Sequence, residues 1–167
     1  FLAFTSSRLG WNTEWKEPVP LLTAGLYWPN LDAPDLAGIR AQWVVGAPVA
    51  AVTFYRALVQ SGNLEPANAL IHALQERGLN PLPVYLQSLK EPVSAGIVSA
   101  TFAEAPPDII LNATGFAVSA PGASRTESPL DIPGCPILQI VFASTSEEVW
   151  AASDTGLFAS DIAMNVA

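Results

Sequence analysis

Four short β-rich runs stand out along the chain, each introduced by proline. They are Val49 to Tyr55 after Pro48, Leu82 to Leu86 after Pro81, Asp108 to Leu111 after Pro107, and Ile137 to Phe142 after Pro136. Proline fits the first residue of a strand because no interior ladder bond is lost there. Apolarity that is continuous rather than alternating predicts strands covered on both faces, as in parallel sheets. Their spacing, about thirty residues, is that of βαβ units.

The stretches between them predict helices. Asn63 is placed to cap a helix with Glu65 and Pro66 in its first turn, and Arg77-Gly78 supplies the stop. Ala67, Leu70, Ile71 and Leu74 form one apolar stripe along it. A second helix runs from Pro92 through Ile97, Val98, Thr101 and Phe102 until Pro106-Pro107. Ser144/Glu147 and Thr145/Glu148 both have capping-box spacing, opening a third helix that carries Val149 and Trp150 and stops near Gly156. Repeated β-α alternation with right-handed crossovers predicts an α/β fold. Its core is an open, mostly parallel doubly wound sheet, flavodoxin-like or periplasmic-binding-like, with helices on both faces.

Residues 1–45 read differently. They hold Trp11, Trp15, Trp28 and Trp43 and a proline-punctuated stretch from Pro18 to Pro34. Ala24 to Trp28 is a candidate strand and Asp35 to Trp43 a short helix, in a leading segment that packs on the sheet. The expected organisation is therefore that segment followed by an α/β domain over 46–167. The start at Phe1 and the unclosed helical pattern from Ser160 to Ala167 lead us to expect a piece of a longer protein. Segment 114–134, rich in Gly, Ala, Ser and Pro, is the longest loop. Loops of about 20 residues inside a compact domain are generally functional or mobile.

Composition sharpens this picture. Half of the 167 residues are hydrophobic and 13% are charged, with a mean hydropathy of +0.34. A typical soluble domain carries about twice that charge fraction, so much of this surface is expected to be covered. No apolar run approaches the ~20 residues needed to span a bilayer. Seven Lys/Arg stand against fifteen Asp/Glu, a net charge of -8. No basic cluster offers a phosphate footprint, so nucleic acid is not an expected partner. Cys135 is the only cysteine, so no internal disulfide forms. No signal peptide is legible, and cytoplasm is the expected location.

In open α/β sheets ligands sit at the carboxyl ends of the strands. Arg56, Lys90 and Arg125 fall on that edge or in its long loop. They read either as a shallow rim for a carboxylate or phosphorylated ligand, or as ordinary solvated charge. Asn112 and Thr114 directly follow a buried strand, where a polar side chain either reaches a ligand or caps the next element. No Gly-x-Gly-x-x-Gly turn and no Walker Gly-Lys-Ser/Thr are present, which disfavours a dinucleotide fold and P-loop ATP hydrolysis. His72, with Asn68 and Glu76 a turn away, reads as a solvated helix residue without metal-binding companions. Cys135 in Pro-Gly-Cys-Pro reads as a small buried hydrophobe rather than a nucleophile. Glu147 and Glu148 read as acids favoured by a helix N-terminus.

Several stretches resemble a known family. Residues 54–63 (Phe54-Tyr55-Arg56 through Asn63), Leu79-Asn80-Pro81-Leu82-Pro83, Leu111-Asn112-Ala113-Thr114-Gly115-Phe116 and Asp161 to Ala167 are similar to the large subunit of aerobic cobaltochelatase. The magnesium chelatase large subunit is its wider relative. The resemblance covers nearly the whole chain and is densest from Gly46 onward. It implies a metal-inserting parent several times longer, which binds tetrapyrrole and inserts cobalt into hydrogenobyrinic acid a,c-diamide during cobalamin synthesis. Cobalt would be a substrate, and Mg-ATP would be hydrolysed on separate AAA+ ATPase subunits. No cofactor would be bound by this chain itself. Catalytic residues are not legible here. Trp28 stands before Pro29 where the resemblance leads us to expect His in many relatives, so no metal role is carried over to it.

On this resemblance, Arg56, Lys90 and Arg125 would meet peripheral carboxylates of the corrinoid. Tyr55 or Phe116 would pack on the macrocycle, with Asn112 and Thr114 beside them. Partners implied are the corrinoid, the ATPase subunits and the rest of the parent subunit. Two other readings stay open: a structural or docking domain with no ligand contact of its own, and an unrelated small-ligand-binding α/β domain.

Overall fold

The strands lie where the proline-led runs fall. The structure, a computed structural model, describes residues 2–14, 20–115, 127–143, 145–154, 156–157, 159 and 161. In chain order its elements are α1 (Leu2–Arg8), β1 (Ala24–Leu26), α2 (Leu36–Arg40), β2 (Val49–Tyr55), α3 (Arg56–Ser61), α4 (Glu65–Glu76), β3 (Asn80–Leu86), α5 (Pro92–Glu104), β4 (Ile109–Asn112), β5 (Ile137–Gln139) and α6 (Glu147–Ala151). The sheet order is β1-β3-β2-β4-β5. Strands β2 to β5 run parallel, while β1 joins the outer side of β3 antiparallel.

The winding reverses at β2. The chain leaves it for β3 on one side, then crosses back to β4 on the other. Right-handed crossovers in opposite directions put their helices on opposite faces. Ala50, Val52 and Phe54 accordingly face Ala67 and Leu74 of α4. Ala51, Leu82, Val84 and Ile110 share the other face with Val98 and Phe102 of α5. Each fully buried Leu, Phe or Val contributes about 1.5–3 kcal/mol relative to exposure. The doubly wound, mostly parallel sheet expected from the sequence is the observed one.

Strand β3 starts one residue before Pro81 rather than after it, so Pro81 and Pro83 lie inside a strand that is buried throughout. Pairing direction allows this. The amide of Asn80 donates to the Pro48 carbonyl, so even-numbered amides point to β2 and odd-numbered positions point away. On that far side β1 pairs only with residues 84–86. The two missing N–H groups therefore face where no ladder runs. The carbonyls on that side are used instead: Pro81 accepts from the Trp43 indole at 2.8 Å, and Pro83 from the Tyr27 amide at 3.1 Å.

Helix starts differ from expectation. Asn63 does not cap α4; Leu64 holds that position with no side-chain cap. The unexpected helix α3 is closed by Gly62 at φ 72°, and the chain enters α4 directly from that left-handed turn. The Asn63 amide instead donates to Ser61 Oγ. Helix α6 is capped by Ser146, whose Oγ accepts from the Val149 amide. Neither expected capping box sets this start, and the Ser144 of one lies outside the described residues. Helix α6 ends at Ala151, before Gly156. The short helix expected from Asp35 is α2, with Asp35 accepting from the Gly38 amide at 2.7 Å. The helix expected over 160–167 falls almost wholly outside the described residues. Trp28 and Ile39, from β1's exit and α2, sit in the core with Leu82 and Val84.

Candidate functional site

The winding reversal sets the carboxyl ends of β2 and β4 side by side, the usual ligand position in such sheets. Register builds its floor. On the α5 face, Thr53 of β2 lies beside Asn112 of β4, and Asn112 beside Gln139 of β5. One row deeper the same strands present Ala51, Ile110 and Ile137. The sheet thus turns from apolar to polar within a single register step.

Thr53 Oγ1 donates to Asn112 Oδ1 at 2.8 Å, and Thr53 is completely buried. The same Oδ1 accepts from the Thr114 hydroxyl at 2.6 Å and the Thr114 amide at 3.1 Å. Asn112 Nδ2 donates to Gln139 Oε1 at 2.8 Å and to the Thr114 carbonyl at 3.1 Å. Gln139 Nε2 donates to that carbonyl as well. Every hydrogen-bonding group of the Asn112 amide is used. Buried polar groups that satisfy one another rigidify their surroundings, and this network fixes the chain's path as it leaves β4.

Tyr55 ends β2 on the same edge. Its hydroxyl accepts from the Gly115 amide at 2.9 Å, so two consecutive residues after β4 are pinned from neighbouring strands. Burial pushes the Tyr55 phenol up from its ordinary value, partly opposed by that amide.

Arg56 opens α3, yet its guanidinium turns to the leading segment. Nε donates to the Leu22 carbonyl at 2.8 Å and Nη2 to the Leu21 carbonyl at 2.9 Å. It fastens the approach to β1 to the start of α3. Across from it, Tyr85 lies over Gly25; burial raises its phenol and the Arg56 charge lowers it. Lys90 is exposed in the turn after β3, where its amide donates to Ser88 Oγ. Glu91 caps α5 beside it, accepting from the Val93 and Ser94 amides at 2.9 and 2.7 Å.

The site residues named from sequence therefore separate. Asn112 and Thr114 come together with Tyr55, but Asn112 and Thr114 are buried and turned toward each other. Arg56 is bound to carbonyls and Lys90 stands on the rim. Phe116 and Arg125 lie outside the described residues. Thr53 and Gln139 were missed, although each interrupts an otherwise apolar run, which is a legible signal for a polar row. His72 is exposed on α4 as expected. Cys135 is half-buried against the core, and burial pushes its thiol up and away from nucleophilic reactivity. Among the described residues no three His, Cys, Asp or Glu side chains gather to hold a metal ion. No helix among them is long and apolar enough to cross a membrane.

Comparison with known proteins gives a consistent result. The CobN/magnesium chelatase family model matches residues 1–167. The aerobic cobaltochelatase subunit CobN of Sinorhizobium sp is 45% identical over 156 residues, which are 89% of this chain and 12% of that protein. Its counterpart in Pseudomonas aeruginosa is 33% identical over 168 residues, covering 100% of this chain and 13% of that protein. Among solved structures, the catalytic subunit of cobaltochelatase from Mycobacterium tuberculosis superposes with a TM-score of 0.65 at 29% identity. That match covers 98% of this chain and 14% of the other. The chain thus spans about an eighth of the length of the relatives it matches.

Proposed function

Because the chain belongs to the CobN/magnesium chelatase family, we propose that it is one part of the tetrapyrrole-binding large subunit of an ATP-dependent cobaltochelatase. That enzyme inserts cobalt into hydrogenobyrinic acid a,c-diamide in cobalamin biosynthesis, in the cytoplasm. Cobalt is its substrate, and Mg-ATP is consumed on AAA+ partner subunits. The observation that carries this reading is the family match over all 167 residues, joined by two relatives that are both the CobN subunit of aerobic cobaltochelatase. The lack of a nucleotide motif in the chain suits a subunit whose energy source lies elsewhere.

Within that subunit, the carboxyl edge of the sheet contributes one wall of the corrinoid cavity. A corrinoid has an apolar macrocycle and a carboxylate-bearing rim. The exposed Lys90 ammonium offers charge to a peripheral carboxylate, and the ring of Tyr55 offers an apolar edge whose hydroxyl is held by the Gly115 amide. The Thr53–Asn112–Thr114–Gln139 network holds this wall rigid without itself touching the ligand. Arg56, with its donors spent on Leu21 and Leu22, supports the wall and does not bind substrate.

The test is corrinoid affinity of the full-length subunit, read from the corrinoid's own absorbance. Tryptophan quenching is a weaker reporter, because Trp43 bonds at the amino-terminal end of β3, away from this edge. Lys90→Ala and Tyr55→Ala are each expected to weaken binding about three- to tenfold, the loss of roughly one charge-assisted hydrogen bond or one ring contact. Unchanged affinity in both would transfer the chain to a docking role. One observation favours that second reading: Val44 and Val45, at the opposite edge of the sheet, are 68% and 101% exposed.

A further inference from the structure

Strand β5 is the last strand of the sheet among the described residues. Its inner side is fully engaged with β4. The Pro136 carbonyl accepts from the Ile110 amide, and the Ile140 amide donates to the Asn112 carbonyl, both at 2.9 Å. In a parallel ladder, bonding alternates sides by residue. The amides and carbonyls of Ile137 and Gln139 therefore point outward, and no described group pairs with them.

Such an edge templates further pairing, and edge strands are ordinarily blunted by charges, proline, bulges or a cover. Residues 135–142 carry no charge, and their one proline precedes the strand. Leu138 is 50% exposed although it sits in the strand. Beyond it, α6 buries none of its residues, and Val149 and Trp150 are each 50% exposed. The opposite edge, a strand of the same three-residue length, is covered: β1 is flanked by α5 and its approach is anchored through Arg56. The β5 side has the composition of a sheet interior and the exposure of a surface.

We propose that in the parent subunit β5 is an interior strand, paired along its outer edge by a further strand of the same polypeptide. The occupant is assigned to the parent chain because this chain spans only 12–14% of its relatives and solved neighbour. A covalently continuous strand also closes the edge at far smaller entropic cost than a separate molecule. The inference rests on the reading of the chain as one part of a longer subunit. The mass of the endogenous polypeptide tests that premise separately, whatever the exchange pattern shows.

The experiment is hydrogen exchange on the purified full-length subunit, resolved to single amides by gas-phase fragmentation. The Leu138 and Ile140 amides, which face β4, are the internal reference. The proposal expects Ile137 and Gln139 to exchange as slowly as these two in the monomeric subunit without ATPase partners. Exchange of Ile137 and Gln139 more than about 100-fold faster than the reference would overturn it, since unpaired surface amides open at nearly no cost. Protection that is lost on dilution would assign the edge to a second copy, and protection that needs the ATPase subunits would assign it to them. Either result overturns the proposal.

Discussion

Thr53 Oγ1 and Asn112 Oδ1 lie 2.8 Å apart, across neighbouring parallel strands, with no water-accessible surface on Thr53. That bond ties the two strands between which the winding reverses. Asn112 serves three partners, so its removal strands all of them. Asn112→Leu is expected to destabilise by about 2–4 kcal/mol, because buried donors and acceptors lose their only alternative to water. Thr53→Val removes one donor of the three reaching Asn112 Oδ1 and is expected to cost about 1 kcal/mol. Denaturant unfolding of the two variants checks the order; equal effects would mean that the network has no hub.

Gly25 pairs with Tyr85 in register. A Cβ on Gly25 would lie 2.6 Å from the Tyr85 hydroxyl oxygen and 2.9 Å from Cζ. Gly25→Ala must displace the ring and is expected to cost about 1–3 kcal/mol. Tyr85→Leu vacates that space. In a double-mutant cycle the alanine should then be tolerated better than in the parent sequence, and simple additivity would show that the ring is not the obstacle.

Arg56 fastens the approach to β1, donating to the Leu21 and Leu22 carbonyls. Arg56→Met keeps much of the stem and frees the Leu21 and Leu22 carbonyls. The expected result is faster amide exchange around residues 20–27 and a loss of about 1 kcal/mol, with corrinoid affinity following only the loosened wall. A loss of affinity with exchange unchanged would restore Arg56 to the binding role.

Glu91 gives a pH dependence with a definite sign. Hydrogen bonds from the Ser94 side chain, the Ser94 amide and the Val93 amide hold its carboxyl below the ordinary range. The folded state therefore prefers the carboxylate. Its contribution is complete above the ordinary carboxylate pKa and is lost as pH falls through the lowered value. Glu91→Gln should lower the melting temperature at neutral pH and have little effect once the wild-type carboxyl is protonated. A difference that persists unchanged into acid would place the cap's value in geometry rather than charge.

Local signals in the sequence, read one element at a time, specified much of this molecule. Continuous apolar runs led by Pro48, Pro107 and Pro136 marked parallel strands; β2 is covered on both faces as such a run implies, whereas β5 leaves Leu138 half exposed. The stripe Ala67, Leu70, Ile71 and Leu74 marked the buried side of α4. The family, too, was legible in short ordered stretches such as residues 54–63 and 111–116. Tertiary structure decided what one-dimensional spacing does not contain. Strand order put Gln139 beside Asn112 and Asn112 beside Thr53, joining them with Thr114 in one hydrogen-bonded network. The return of residues 20–23 past α3 engaged Arg56, whose charge looked free in the sequence. The side on which β1 ends made Pro81 and Pro83 harmless within a strand. In each case the deciding quantity is which groups meet across more than twenty residues of chain, and that is set by packing of the whole sheet rather than by any local propensity.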